Sequence, residues 1–181
     1  MMNKEPVVEP VKLIVGFIYA SEEALISVLE KLESAHGPVE FESGHFPFTQ
    51  TDYYSREMGP DLRRCFVSFE PPVDPDTLRE DKLAAVALEK KYLNPAGGRM
   101  VNIDPGLIGL ANLVLASTKA FAHRVYLGKG IYAEVSMLYE DREFTPLRWT
   151  YPDYRQEEAL RFFLQVRDRL KEQIGTLRQS G

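Results

Sequence analysis

The chain has 181 residues, 44% of them hydrophobic and 27% charged, with a formal net charge of −5. That length suits one domain with a proper core, and the acidic balance argues against the basic stripe on which nucleic-acid binding rests. One cysteine, Cys65, excludes an intrachain disulfide and fits a reducing compartment; set between Arg64 and Phe66 in an apolar run, it reads as packing and not as a nucleophile.

Residues 1–10 carry acids and two prolines and are expected to form a loose tail, leaving residues 11–181 as a single domain. A secretory leader would show a basic head and a small-residue cleavage site, and a membrane span needs about 20 apolar residues. Neither pattern is present, so the expectation is a cytoplasmic protein without a membrane partner. Lys12 to Ala20 is nearly continuous in apolar character, as a strand buried on both faces should be. Ser21 then offers a capping hydroxyl with Glu22 and Glu23 behind it, and Ala24, Leu25, Val28, Leu29 and Leu32 form a helical stripe stopped by Gly37-Pro38. Val39 and Phe41 alternate with Glu40 and Glu42 as a short strand. The stretch G-H-F-P-F-T-Q-T-D-Y-Y-S-R-E-M-G-P reads as a loop with one helical turn, and Arg63 to Phe69 as the next strand.

Asp74 caps a second helix with Pro75 in its first turn, and Leu78, Ala85, Val86, Leu88 and Tyr92 line its inner side. Asn94-Pro95 and Gly97-Gly98 end it. Met100 to Ile103 is a fourth strand, closed by an expected turn at Asp104-Pro105-Gly106. The order strand, helix, strand, strand, helix, strand is that of a ferredoxin-like split β-α-β core, βαββαβ, in an α+β protein. From Leu107 to Thr118 two readings stand: Leu107, Leu110, Ala111, Val114 and Leu115 match a helix, while L-V-L-A-S-T matches a strand. A short helical turn followed by a strand is preferred. His123 to Tyr139 is a hairpin turning through Gly128-Lys129-Gly130. With that loop, Leu127 faces Ile131, Val125 faces Ala133, and Arg124 falls opposite Glu134. Val125, Leu127, Ile131, Ala133 and Val135 then form a core face, against a polar face of Arg124, Tyr126, Tyr132 and Glu134. Phe144 to Tyr151 is a further strand, and a final helix from about Gln156 buries Leu160, Phe163, Leu164, Val166 and Leu170.

Four segments, T-D-Y-Y-S-R-E-M-G, N-I-D-P-G, T-K-A-F-A-H-R-V-Y-L-G-K-G-I-Y-A-E-V and W-T-Y-P-D-Y-R, resemble in that order the signature segments of a bacterial family, domain of unknown function 4416. The resemblance covers nearly all of the chain from about Val11 and implies a single-domain bacterial protein. It carries no established reaction over to these residues.

Charges of both signs interrupt the apolar run from Asn102 to Tyr139, and burying an unpaired charge is costly. Lys119, His123 and Arg124 supply a point charge, a proton-exchanging ring and a bidentate fork that suit an anion. Arg124 could equally be committed to Glu134, and His123 could be a structural imidazole. Asp52, Tyr53, Tyr54 and Glu57 could bring a carboxylate and phenols to a ligand, or cap and pack a helical turn. Asp104 sits where strand-end carboxylates meet ligands, or simply makes a turn. Tyr151, Asp153, Tyr154 and Arg155 could form a lid or supply a carboxylate ligand, although helix initiation explains them. His36, His45 and His123 are far apart, and neither H-E-x-x-H nor paired cysteines exist, so spacing indicates no zinc site. Mg²⁺ held by Asp52, Asp104 or Glu134 stays open. No G-x-x-x-x-G-K-[ST] phosphate loop, nucleophile elbow or kinase motif set is present. The reading is a domain that binds a small anionic ligand, a nucleotide or phosphorylated molecule. Lys119, His123, Arg124, Glu134, Asp52 and Tyr54 would contact it; phosphoryl or nucleotidyl transfer, if any, would involve His123 or Asp104. The alternative is a non-catalytic protein-interaction module with structural polar clusters.

Overall fold

The computed structural model describes residues 8–180, so most of the expected N-terminal tail lies outside the described residues. Strand β1 (Lys12–Tyr19) is buried at every position. Even Lys12 is enclosed, its ammonium meeting Glu40 Oε2 at 2.6 Å and the Glu70 carbonyl at 2.8 Å. Helix α1 (Glu22–His36) starts where Ser21 Oγ accepts from the Ala24 amide, and ends at Gly37, whose φ of 92° excludes most side chains.

After α1 come β2 (Val39–Glu42), β3 (Phe46–Pro47), the single turn α2 (Ser55–Met58) and β4 (Arg63–Phe69). A 3₁₀ turn capped by Asp74 leads into α3 (Leu78–Glu89), followed by β5 (Val101–Ile108), β6 (Asn112–Ser117), β7 (Val125–Gly128), β8 (Ile131–Glu140), β9 (Glu143–Pro146) and α4 (Glu157–Ser180). The nine strands form one sheet in the order β2-β4-β1-β5-β6-β8-β7, with β3 also on β4 and β9 also on β8. Every pairing is antiparallel. Because side chains alternate along β1, Leu13, Val15, Phe17 and Tyr19 pack beneath α1 and α3, while Ile14 joins Phe66, Phe162, Phe163 and Val166 under α4. The protein is thus α+β, one sheet with helices on both faces.

Four local expectations are corrected. Asp104-Pro105-Gly106 is no turn: all three residues lie in β5. Proline is tolerated because the β5–β6 ladder stops at Gly106↔Leu115, so Pro105 has no strand on that side to receive an N–H. The glycine serves close approach, since a Cβ there would lie 2.6 Å from Leu115 Cδ2 and 2.9 Å from Val114 O. Second, Leu107 to Thr118 contains no helical turn; its apolar spacing belongs to two strands joined where the Gly109 amide bonds Asn112 O at 2.9 Å. Third, the hairpin loop is Lys129-Gly130, with positive φ at both residues. Gly128 pairs with Ile131, and Leu127 is bulged out of register. Val125 does face Ala133, but β7 is the sheet edge, and Val125 is 68% exposed instead of core. Fourth, the strand expected over Phe144–Tyr151 ends at Pro146, after which Leu147 and Thr150 bond each other in a turn.

Gly106→Ala forces its methyl into β6. It should lower stability by about 1–3 kcal/mol in chemical denaturation, and an unchanged midpoint would contradict the close β5–β6 approach.

Candidate active site

Beyond Gly106↔Leu115 the two central strands part, and the space between them is a cavity of about 660 Å³. Strand geometry directs the backbone of Ile103 towards this gap, as it does Pro105. Two side chains of α3 take the place of the missing strand: Lys82 Nζ donates to Ile103 O at 2.9 Å, and Glu89 Oε1 accepts from the Ile103 amide at 2.7 Å. Both are almost fully buried, on the same helical face as Leu78 and Ala85. Lys82 also donates to Asp104 Oδ1 at 3.1 Å, while Asn102 Nδ2 donates to Asp104 Oδ2 at 2.6 Å. Arg99 closes this wall, gripping both oxygens of Glu57 at 2.7 and 2.9 Å and reaching Glu89 at 3.1 Å and Asn102 Oδ1 at 2.8 Å.

The floor is Arg64, 1% exposed. Its guanidinium carbon lies 4.5 Å from the Phe66 ring centroid and 4.8 Å from that of Tyr154, two rings that meet edge to face. Gly16 makes the room: a Cβ there would sit 2.9 Å from Arg64 Nη2. Arg64 Nε is 2.9 Å from Asp153 Oδ2, and Nη1 is 3.7 Å from Asp104 Oδ2. Nε is poorly aligned and Nη1 too distant, so neither completes a hydrogen bond, and nor does the buried Tyr154 hydroxyl.

On the far wall Glu134, 3% exposed, accepts from Arg124 Nε at 2.6 Å, His123 Nε2 at 3.0 Å and Ser136 Oγ at 3.0 Å. Arg124 Nη1 donates to Ser117 Oγ and Lys119 O, and Nη2 to Tyr151 OH at 2.8 Å. Lys119 stands at the rim with its ammonium 4.5 Å from the Tyr53 ring centroid.

The structure therefore brings Lys119, Arg124, Glu134, Asp104 and Tyr54 to one cavity. His123 stays behind the wall, stacked on Trp149 at 4.8 Å and holding Glu134. Asp52 is exposed and off the cavity lining, its carbonyl accepting from Ser55 Oγ. Arg64, Lys82, Glu89, Arg99 and Asn102 also line the space and were not singled out from sequence as ligand contacts, and Asp153, weighed there as a carboxylate ligand, lines it too. Asp153 starts no helix cap; it is buried against Arg64. One signal was legible: Lys82 and Glu89 fall on the apolar stripe of their helix, where a charge demands a partner.

Five cationic and four anionic side chains line the cavity. Burial works against the Asp104 carboxylate, but Lys82, Arg64 and Asn102 outweigh it and hold its pKa below the ordinary value. The Arg99 fork likewise holds Glu57 low. Burial raises Glu89, opposed by Lys82, the Ile103 amide and Arg99. It also raises the phenols of Tyr54 and Tyr151, so both stay protonated near neutral pH. Burial pushes the Cys65 thiol up to about 12, so unless a cation meets the sulfur the group stays a thiol.

Comparison with known proteins settles the family. The family described as Domain of unknown function (DUF4416) matches residues 9–170. The chain belongs to this family. No curated protein and no solved structure matches the chain. The DUF4416 segments T-D-Y-Y-S-R-E-M-G, N-I-D-P-G and W-T-Y-P-D-Y-R, distant in sequence, all contribute cavity-lining residues.

Lys82→Met leaves Asp104 Oδ1 and Ile103 O without their donor and should cost about 3–5 kcal/mol in denaturant unfolding. Asp104 and Glu57 have depressed folded-state pKa values. Their stabilisation is therefore present above the ordinary carboxylate range and lost as pH falls through and below it. The urea midpoint should drop on acidification, and the drop should shrink in Asp104→Asn.

Proposed function

We propose that the cavity binds a small anionic ligand whose oxyanion docks on Arg64. The observation that carries this reading is the set of buried donors at the floor, Arg64 Nε and Nη1 with the Tyr154 hydroxyl, none of which has a hydrogen-bond partner. Buried polar groups are almost always satisfied, and an oxyanion is the natural complement to an arginine fork. Burial disfavours the Arg64 charge, but Tyr154, Asp153 and Asp104 beside it together more than offset this and keep it cationic. Lys119 at the rim supplies a second positive group, and Tyr53, Tyr54 and Tyr151 offer aromatic surface for the ligand body.

The commitments of the other groups narrow the ligand. Arg124 and Arg99 each commit four of their five N–H groups to protein acceptors and Lys82 two of its three, so Arg64 and Lys119 keep the most donor capacity. That favours one monophosphate or carboxylate head, as in a nucleoside monophosphate or a phosphorylated metabolite, over a polyphosphate. Phosphoryl or nucleotidyl transfer would need the ligand to bring its own metal, because both oxygens of Asp104 and of Glu134 already accept from protein donors. The chemistry of such a site is positioning and charge stabilisation.

We read the architecture as a ferredoxin-like split β-α-β core. The order β2-β4-β1-β5, with α1 and α3 on one face, supports this. A cytoplasmic bacterial setting fits the lone buried cysteine; no described helix is long and apolar enough to cross a membrane. A protein-interaction role is the second reading, favoured by Phe121, Val125 and Tyr126, each more than half exposed at the β7 edge.

Thermal-shift titration with inorganic phosphate, nucleoside monophosphates, sugar phosphates and dicarboxylates separates the two. A ligand at 100 times its dissociation constant should stabilise by about 2.7 kcal/mol, and Arg64→Gln should abolish the response while Lys119→Ala weakens it. No response across the panel would favour the interaction module.

A further inference from the structure

The spacing of histidine and cysteine along the chain gave no reason to expect a metal, but the sheet gathers one donor set that spacing cannot show. Glu42 on β2 stands opposite Val67 on β4, two residues from Cys65 and on the same face. The loop after β2 folds His45 back over that face. Donor atoms of Glu42, His45 and Cys65 all lie within 4.8 Å of one another.

We infer that Glu42, His45 and Cys65 form a binding site for a zinc-class divalent cation, separate from the anion cavity. Thiolate, imidazole and carboxylate are the donor types that zinc takes, and three protein ligands plus water are the pattern of an open zinc site. His45 is already oriented for the task. Its Nδ1 lies 2.5 Å from the Tyr19 hydroxyl, and its Nε2 lies 2.7 Å from Glu42 Oε1. As it stands, Nε2–H donates to the Glu42 carboxylate and Nδ1 accepts from the Tyr19 hydroxyl; a cation at Nε2 would select the other tautomer, in which Nδ1–H donates to Tyr19 oxygen, the kind of partner that a ligating histidine usually has. The Cys65 sulfur is fully buried and has no hydrogen-bond partner among the described residues, so coordination would satisfy it.

The set must tighten to bind. Bonds of about 2.0–2.3 Å put tetrahedral donors on the order of 3.5 Å apart. Glu42 and His45 side chains are 44% and 29% exposed and can turn inward, and the same exposure admits the ion. Arg63 is the nearby cation, and its charge is answered by Glu22 at 3.1 Å. Binding converts the thiol to thiolate, releasing one proton. Cys65 and Arg64 are adjacent in β4 and project to opposite faces, so metal and anion sites are back to back.

The test uses the full chain stripped with a chelator and titrated first with Co²⁺, then with Zn²⁺ against a chromophoric chelator. Wild type should bind one equivalent and show near-ultraviolet thiolate-to-cobalt absorption. Cys65→Ser should lose that absorption, and Glu42→Gln and His45→Asn should each weaken zinc binding by at least about 10-fold. The two exposed positions decide the matter should the buried cysteine variant not fold. Absence of sulfur-to-cobalt absorption in wild type, or unchanged affinity in both exposed variants, would overturn the site. Phosphate and mononucleotide binding at Arg64 is read in a separate titration and stands or falls independently.

Discussion

The parting of β5 from β6 is the constraint on which the remaining structure depends. A sheet that separates in the middle exposes unpaired backbone groups inside the protein, and each such group costs about 1–3 kcal/mol if left unmet. Lys82 and Glu89 meet those of Ile103 from α3, and Pro105 has no amide hydrogen to satisfy. The two charges that replace the strand then dictate the next shell of groups. Lys82 draws in Asp104, Glu89 draws in Arg99, and Arg99 fixes Glu57 in α2. A hole in the sheet thus becomes a polar chamber whose walls are held by mutual bonds.

Those bonds position side chains more than they stabilise the fold. Buried ion pairs are expensive to desolvate, and replacing them with apolar groups is often neutral or favourable. Their presence here in such density is better understood as keeping a chamber open and charged. Arg64 is the clearest case. Three features cooperate to seat its guanidinium: glycine at position 16, the rings of Phe66 and Tyr154, and carboxylates placed near but out of alignment. A residue held only for stability would have its N–H groups directed at Asp153. Arg124, by contrast, directs four of its five N–H groups at Glu134, Ser117, Lys119 and Tyr151, and serves as a strut.

Much of the fold was legible because local signals agreed: Ser21 before a stripe of apolar residues, Gly37-Pro38 after it, and the strand Arg63–Phe69 all stand where patterning put them. The errors fall where tertiary pairing overrides local chemistry. Asp-Pro-Gly is a turn signature unless the neighbouring strand ends beside the proline, and a helical spacing such as Leu107, Leu110 and Ala111 can straddle a tight hairpin. The Arg124–Glu134 pairing was foreseen, although the loop that joins the strands is one residue shorter than expected and bulged. Only half of the chamber could be anticipated. Lys119, Arg124, Glu134, Asp104 and Tyr54 stood out as charges or phenols in unusual surroundings, whereas Arg64 sits in a strand that reads as ordinary until its neighbours across the sheet are known.

Hydrogen exchange at the Ile103 amide tests the central claim most directly, because that group has a partner only if Glu89 stands in for a strand. In the wild-type protein it should be protected to a degree comparable with the core amides of β1 and β4. In Glu89→Ala its protection should fall by more than theirs does. Equal protection of Ile103 in both proteins, relative to β1, would mean that another group closes the gap and that the chamber is not built as described.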